Sequence, residues 1–313
     1  MNTATLKSNV LLLLTAIIWG LSFVAQRIGM EHIGPMFFNG LRFAIGAVSL
    51  LPMVYFLHKR KRSQPHGNNL SLFSNPSKIL LPGLYAGVIL FSGASLQQCG
   101  IIYTSVGNAG FITGLYVIVV PITGIIWGQK TSLQTWVGAI FAVVGLYLLS
   151  VKSGLTINRG DFLILISAVF FAIHVQYIAH ATKTQDALLL SLMQYCVVAL
   201  LSLIAALLTE PLIFSAIISA LPAILYGGIM SVGIAYTLQV VGQKEAHPTH
   251  AAIILSLEGV FAALGGWTIL GELLNARELS GAILMLGSMV FSQLDFKRMR
   301  SKKLNHQRSI ELS

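Results

Sequence analysis

The sequence predicts an all-α membrane protein, with ten transmembrane helices in two inverted five-helix repeats. Three observations carry that expectation. The first is composition: of 313 residues, 55% are hydrophobic and only 10% charged, with a mean hydropathy of +0.79, whereas a soluble domain carries about 25% charged residues. The second is a series of ten apolar runs, at 8–27, 36–57, 79–100, 105–127, 132–150, 161–180, 186–208, 220–241, 248–270 and a short last one near 278–295, where roughly 20 apolar residues cross a hydrocarbon core. The third is a faint likeness between the first five runs and the last five.

Taken in order, the first run, SNVLLLLTAIIWGLSFVAQR, resembles a secretory signal. Its apolar stretch is too long for a signal core and no small-residue cleavage site precedes the next run, so it is expected to remain as a helix. Runs two and three flank the longest connection, residues 58–78, where Pro, Ser, Asn and Gly gather. Pro121 interrupts run four, removing one backbone bond and bending the helix. After run five, VKSGLTINRG at 151–160 separates the halves, giving units at 8–150 and 161–295 and a basic tail at 296–313.

Charge placement sets the topology. With the N-terminus inside, the inner segments hold Lys7, Lys59, Arg60, Lys61, Arg62, Lys78, Lys130, Lys183, Lys244 and, in the tail, Lys297, Arg298, Arg300, Lys302, Lys303 and Arg308, which is fifteen; the outer segments hold Arg27, Lys152, Arg159 and Arg277, which is four. The positive-inside rule then puts both termini in the cytoplasm, and the expected location is the plasma (inner) membrane. The basic loop HKRKRS and the tail are topology anchors able to touch anionic lipid. The net charge of +10 therefore does not point to nucleic acid. Cys99 and Cys196 both fall inside runs and suggest small apolar fillers rather than a disulfide framework.

The repeat is visible in GLYAGVILFSGASLQQ set against ILYGGIMSVGIAYTLQ. Tyr85 falls on Tyr226, Gly87 on Gly228 and Ala94 on Ala235 at a separation of 141; after one residue of slip, Gln97 falls on Gln239 and Gly124 on Gly266 at 142. Near the start of each half, Trp19 falls on Phe171 and Ser22 on His174, at 152. An odd number of crossings per repeat makes the second half enter the membrane from the opposite side. Such inverted repeats recur in secondary transporters, with the substrate site near the midplane between the halves.

AIIWGLSFVAQRIG, FFNGLRFAIGAVSLLP, FITGLYVIVVP, WVGAIFAVVGLYLLS and SLEGVFAALGGWTILGE, in this order, together resemble the EamA-type proteins of the drug/metabolite transporter superfamily over residues 8–295. The resemblance implies ten helices, two EamA-like repeats and movement of small metabolites, often by export. Such proteins often carry a proline after the glutamate of the ninth span; Gly259 stands there instead, so the resemblance does not carry a kink at that point.

Glu258 lies mid-span in run nine, where an acid costs roughly 2.5–3.5 kcal/mol on insertion scales. It therefore faces a cavity or a partner, or keeps its proton; it is read either as a proton-coupling or amine-binding acid or as a packing contact. Tyr116 is its counterpart at the repeat offset, and the two make a small polar centre in an apolar cleft. Trp19 and Phe171 supply an aromatic wall, and His174, one turn beyond, is either a proton shuttle or a packing residue bonded to a backbone carbonyl. Gln97 and Gln239 are either gate residues near opposite faces or helix–helix contacts. Arg42, in the outer third of run two, either snorkels outward or meets a substrate carboxylate; its counterpart is Gln194. Gly83, Gly87, Gly93, Gly227, Gly228 and Gly233 let helices approach closely.

The expected function is a secondary transporter, an exporter, moving a small metabolite, amino acid or drug-like compound by alternating access, with proton coupling through Glu258 as a further expectation. Its expected partners are the small-molecule substrate, protons and membrane lipids. No cofactor is expected: HPTH at 247–250 has no carboxylate or cysteine beside it, and no phosphate-binding loop of the GxxxxGK[ST] type occurs. The rival readings are a lipid-modifying membrane enzyme, for which the ten acids are too scattered, and a channel or scaffold, for which no polar ring can be assembled.

Overall fold

Without water in the membrane core, each backbone N–H and C=O must find its partner inside its own segment, which leaves the helix as the structure for apolar runs of this length. The computed structural model describes residues 3–62, 76–150, 158–271 and 275–293, and among these it is helical without a strand. The helices are α1 (Thr3–Gly29), α2 (Pro35–Arg62), α3 (Pro76–Ile101), α4 (Val106–Gly114), α5 (Tyr116–Ile126), α6 (Leu133–Ser150), α7 (Arg159–Ala181), α8 (Ala187–Thr209), α9 (Phe214–Ser219), α10 (Leu221–Leu225), a π-helical segment (Tyr226–Tyr236), α11 (Thr237–Gln243), α12 (Pro248–Leu255), α13 (Glu258–Leu270) and α14 (Ala276–Gln293). Among the described residues, eight helical stretches are long and apolar enough to cross a membrane, and Leu133–Leu148 forms a shorter apolar helix. The last run falls on α14, whose first turn holds Arg277 and Glu278. The basic tail at 296–313 lies outside the described residues, as do 63–75 and 151–157.

Caps written in the sequence start several helices. Ser105 Oγ accepts from Asn108 N at the head of α4, Asn158 and Asp161 bond reciprocally at the head of α7, and Asp186 Oδ1 accepts from Leu188 N and Leu189 N at the head of α8. Across elements, Glu210 after α8 takes the backbone N–H groups of Met36 and Phe37 at 2.8 and 2.9 Å, capping α2.

Packing follows the small residues. α6 lies along α14, α2 along α8, and α3 along both α7 and α8, while α1 rests on α13 and the π-helical segment. Two approaches have matching geometry. A Cβ on Gly87 would stand 2.5 Å from Val197 Cβ and 3.2 Å from the Gln194 carbonyl, and one on Gly228 would stand 2.7 Å from Ile45 Cβ and 3.0 Å from the Arg42 carbonyl. Only glycine admits such contact without moving a helix.

Among the described residues, three spans are not continuous α-helices. The fourth breaks at Leu115, where Leu115 N reaches Ile112 O and Ile118 N reaches Leu115 O, a tightened turn. The ninth breaks at Ser256–Leu257 with the same tightening, Leu257 N to Ile254 O and Gly259 N to Ser256 O. Two expectations are thereby corrected. Pro121 sits inside α5, after the discontinuity rather than at it, and the ninth span breaks beside Gly259 with no proline present. The eighth span widens into the π-helical segment where its counterpart α3 stays α-helical. A π-turn accommodates one extra residue, and the separation between the two spans slips from 141 to 142 after Ala235.

Candidate functional site

The breaks determine what faces the interior. Glu258 is the first residue of α13 and Tyr116 the first of α5, so each begins a half-helix near mid-span, where a helix N-terminus carries partial positive charge. Both side chains are buried and line the same cavity. They are neighbours, yet neither Tyr116 Oη nor Glu258 Oε1 has a well-formed hydrogen bond to protein.

The same cavity is lined by Trp19 from α1, Arg42 from α2, Gln97 from α3, Phe171 and His174 from α7, and Gln239 from α11. All eight residues singled out in the sequence thus share one space, although α1 and α13 are more than two hundred residues apart. Gly93 lets α7 close on α3, since a Cβ there would stand 3.2 Å from the Phe171 ring.

Several bonds differ from expectation. Arg42 does not snorkel: it is 2% exposed, its Nε donates to Asn39 Oδ1 at 2.9 Å, and its guanidinium lies 5.6 and 5.2 Å from the Phe38 and Phe43 ring centroids. His174 Nε2 pairs at 2.8 Å with Gln194 Oε1, a side chain and not a backbone carbonyl. With that oxygen as acceptor, Nε2 carries the hydrogen. Gln97 Nε2 donates to Thr113 Oγ1 at 3.0 Å, while Gln239 Oε1 is buried without a partner. His247, at the head of α12, caps Thr249 N through Nδ1, and burial lowers its pKa from the usual histidine value.

Tyr236 was missed by sequence reasoning. Its ring lies 4.5 Å from Trp19, 5.8 Å from Phe43, 6.4 Å from Tyr195 and 6.5 Å from His174, which makes it the hub of the aromatic lining. Its position at the end of the π-helical segment coincides with the slip in the repeat register, the one signal that could have drawn attention to it.

A mid-span acid, a buried histidine and several aromatic rings thus line one cavity. The sequence profile of the EamA-like transporter family matches residues 6–151 and again residues 158–293. The chain belongs to that family. A protein of Archaeoglobus fulgidus named as an uncharacterized transporter is 31% identical over 284 residues, covering 90% of this chain and 84% of its own. A Salmonella typhimurium protein named "probable amino-acid metabolite efflux pump" is 22% identical, covering 96% and 99%. A solved crystal structure superposes with a TM-score of 0.74 at 17% identity, covering 93% of this chain and 98% of its own, and shares the fold.

As an EamA-family transporter, the molecule is an integral multi-pass membrane protein. Its outward surface agrees in chemistry, with Phe56, Ile126, Leu208 and Phe214 exposed where acyl chains would meet them. Cys99 and Cys196 are unpaired within α3 and α8.

Proposed function

We propose that this EamA-family protein is a secondary active exporter that moves a small metabolite, amino acid or drug-like compound by alternating access, with proton coupling through Glu258. The observation that carries the reading is the Glu258 carboxyl group, whose Oε1 is buried without a partner, at the head of a half-helix and facing a cavity lined from both halves of the chain. A buried polar atom without a partner costs about 1–3 kcal/mol, and an exchangeable proton or a polar substrate offsets that cost during a cycle. The Salmonella relative's printed name favours amino-acid metabolites and the outward direction.

The architecture in this reading is two inverted repeats, 8–150 and 161–295, followed by the cytoplasmic tail 296–313, with both termini on the cytoplasmic side of the plasma membrane. In its favour, the two breaks fall at residues related by the repeat offset, and the glycine contacts at Gly87 and Gly228 match across it. α6 and α14, 18 residues each, span about 27 Å at 1.5 Å per residue; as mutual neighbours they bring the crossings to ten. The protein is a carrier rather than an enzyme.

The test uses purified protein in vesicles. Saturable counterflow of a metabolite that accumulates differently in cells with and without the protein is expected, and Glu258→Gln removes pH-gradient-driven flux while the protein stays folded. Unchanged gradient-driven flux in that variant removes Glu258 from the mechanism; absence of counterflow for every differing metabolite removes the transport reading.

A further inference from the structure

Arg42 is more deeply buried than its partners require. Its Nε–H is taken by Asn39 Oδ1, the one hydrogen bond of this side chain among the described residues. A guanidinium offers five donors in a planar fork, and here the free edge lines the same cavity as Glu258. Phe38 and Phe43 hold the group in place from its flanks, with carbon–centroid distances of 5.6 and 5.2 Å. They supply no acceptor.

The other half of the chain gives a control. At the repeat offset, Arg42 corresponds to Gln194 and Ser22 to His174. His174 Nε2 and Gln194 Oε1 meet at 2.8 Å, and Gln194 Nε2 is left buried without a partner. Arg42 and Ser22 do not bond to each other: Ser22 Oγ takes Gln26 Nε2 and Arg42 takes Asn39. The second-half pair is neutral and joined to itself by one bond, whereas the first-half position presents a charged fork bonded only through Nε. Leaving such a charge buried costs several kcal/mol unless an anion meets it.

The acidic pole is separate. No ion pair joins Arg42 to Glu258, and Tyr236 stands within electrostatic range of both. Tyr236 and Trp19, with ring centroids 4.5 Å apart, lie among the apolar lining of this space.

We propose that Arg42 is the specificity-determining residue of the pocket, binding a substrate carboxylate, so that the substrate is a zwitterion with its carboxylate at Arg42, its ammonium group toward Glu258 and its carbon skeleton against Trp19 and Tyr236. The pairing is the bidentate, charge-assisted kind at which arginine is not replaceable by a simple point charge. The proposal rests on the transport reading for its purpose but not for its test.

The test is equilibrium binding to purified full-length protein, using probe sets that differ by one charge: phenylalanine, phenethylamine and 3-phenylpropionate; leucine, isoamylamine and 4-methylpentanoate. The wild type binds at least one amino acid about tenfold or more tightly than the matching amine. Arg42→Gln, which installs the residue already found at the corresponding position 194, loses that preference while still binding the amine. If this variant does not fold, the wild-type comparison decides alone. Equal affinity for amino acid and amine, binding of neither amino acid, or a preference that survives in Arg42→Gln overturns the proposal. Counterflow separates it from the broader reading: selective binding without counterflow sinks the transporter and leaves the anchor, whereas saturable counterflow without a carboxylate preference does the reverse.

Discussion

The fourth and ninth spans are both broken near their middles, and they differ in what the break presents. In the fourth, α4 ends at Gly114 and α5 begins with the phenol of Tyr116; in the ninth, α12 ends at Leu255 and α13 begins with the carboxyl group of Glu258. The turn is alike in both, with Leu115 and Ser256 at φ −62° and ψ −14°. One span carries a proline after its break and the other has none. The backbone device is therefore independent of proline and of charge, and of the two breaks only that of the ninth span presents an acid. A half-helix N-terminus tolerates either residue, since its partial positive charge favours an anion and its free N–H groups donate to any oxygen.

The largest expected effect comes from erasing that difference. Glu258→Gln keeps shape and hydrogen-bonding capacity but removes the exchangeable proton, so flux driven by a pH gradient falls to background while passive exchange of substrate persists with weaker binding, because the carboxylate that meets the substrate ammonium is lost as well. Vesicle flux with and without an imposed gradient checks both parts. A variant that loses both equally points to a substrate-binding role without coupling.

Next in size is a packing effect. α1 meets the second break through Gly20, where a Cβ would stand 2.7 Å from the Glu258 carbonyl and 2.8 Å from Ala262 N. Its counterpart at the repeat offset is Ala172, a buried residue with the methyl group that Gly20 lacks. Gly20→Ala therefore forces α1 away from α13 and costs about 1–3 kcal/mol, seen as a lower melting temperature in detergent. Ala172→Gly costs about 1 kcal/mol through helix propensity. Equal losses for the two would mean that α1 and α7 approach the broken spans equally closely.

Much of this arrangement is legible in the sequence because lipid allows few alternatives. Apolar runs interrupted by turn residues fix the helices, and polar side chains inside those runs, such as Glu258, Gln97 and Arg42, mark the interior, since an exposed polar group at that depth is costly. The breaks are less legible. Pro121 suggested one at the wrong residue and Gly259 argued against one that exists, because the discontinuity comes from i to i−3 hydrogen bonding that no side chain announces. Tyr236 was illegible for another reason: at an offset of 141 it corresponds to Ser95, so the repeat gave no aromatic counterpart. Arg42 was legible as a charge but not in its orientation, which depends on Phe38, Phe43 and Asn39 enclosing it.

A smaller effect is expected at the first break. Tyr116→Phe keeps the ring that packs in the core and deletes a hydroxyl without a protein hydrogen bond. Folding is then unaffected or slightly improved, and any loss is confined to function. A single hydrogen bond is worth about 0.5–1.5 kcal/mol, so exchange of substrate falls by about two- to tenfold. Gradient dependence persists, because Glu258 is still present. If Tyr116→Phe abolished gradient dependence as Glu258→Gln does, the two residues would act as one proton-carrying unit and the functional contrast between the breaks would disappear.

The smallest effect tests whether the second break needs its own side chain. Ser256 Oγ donates to Ile253 O at 2.9 Å, inside the turn that ends α12. At the repeat offset the fourth span has Gly114, which has no hydroxyl and precedes a break of the same kind. The bond therefore accompanies the turn rather than causing it. Ser256→Gly makes the ninth span locally like the fourth, and its cost is below about 1 kcal/mol, combining a lost local hydrogen bond with a more flexible residue. Melting temperature falls slightly and flux at Glu258 keeps its gradient dependence. Straightening of the span would draw the Glu258 carboxyl group away from Tyr116, and the variant would then lose coupling with little loss of stability. That outcome would show that the ninth span is held broken by one hydroxyl and that its likeness to the fourth is only superficial.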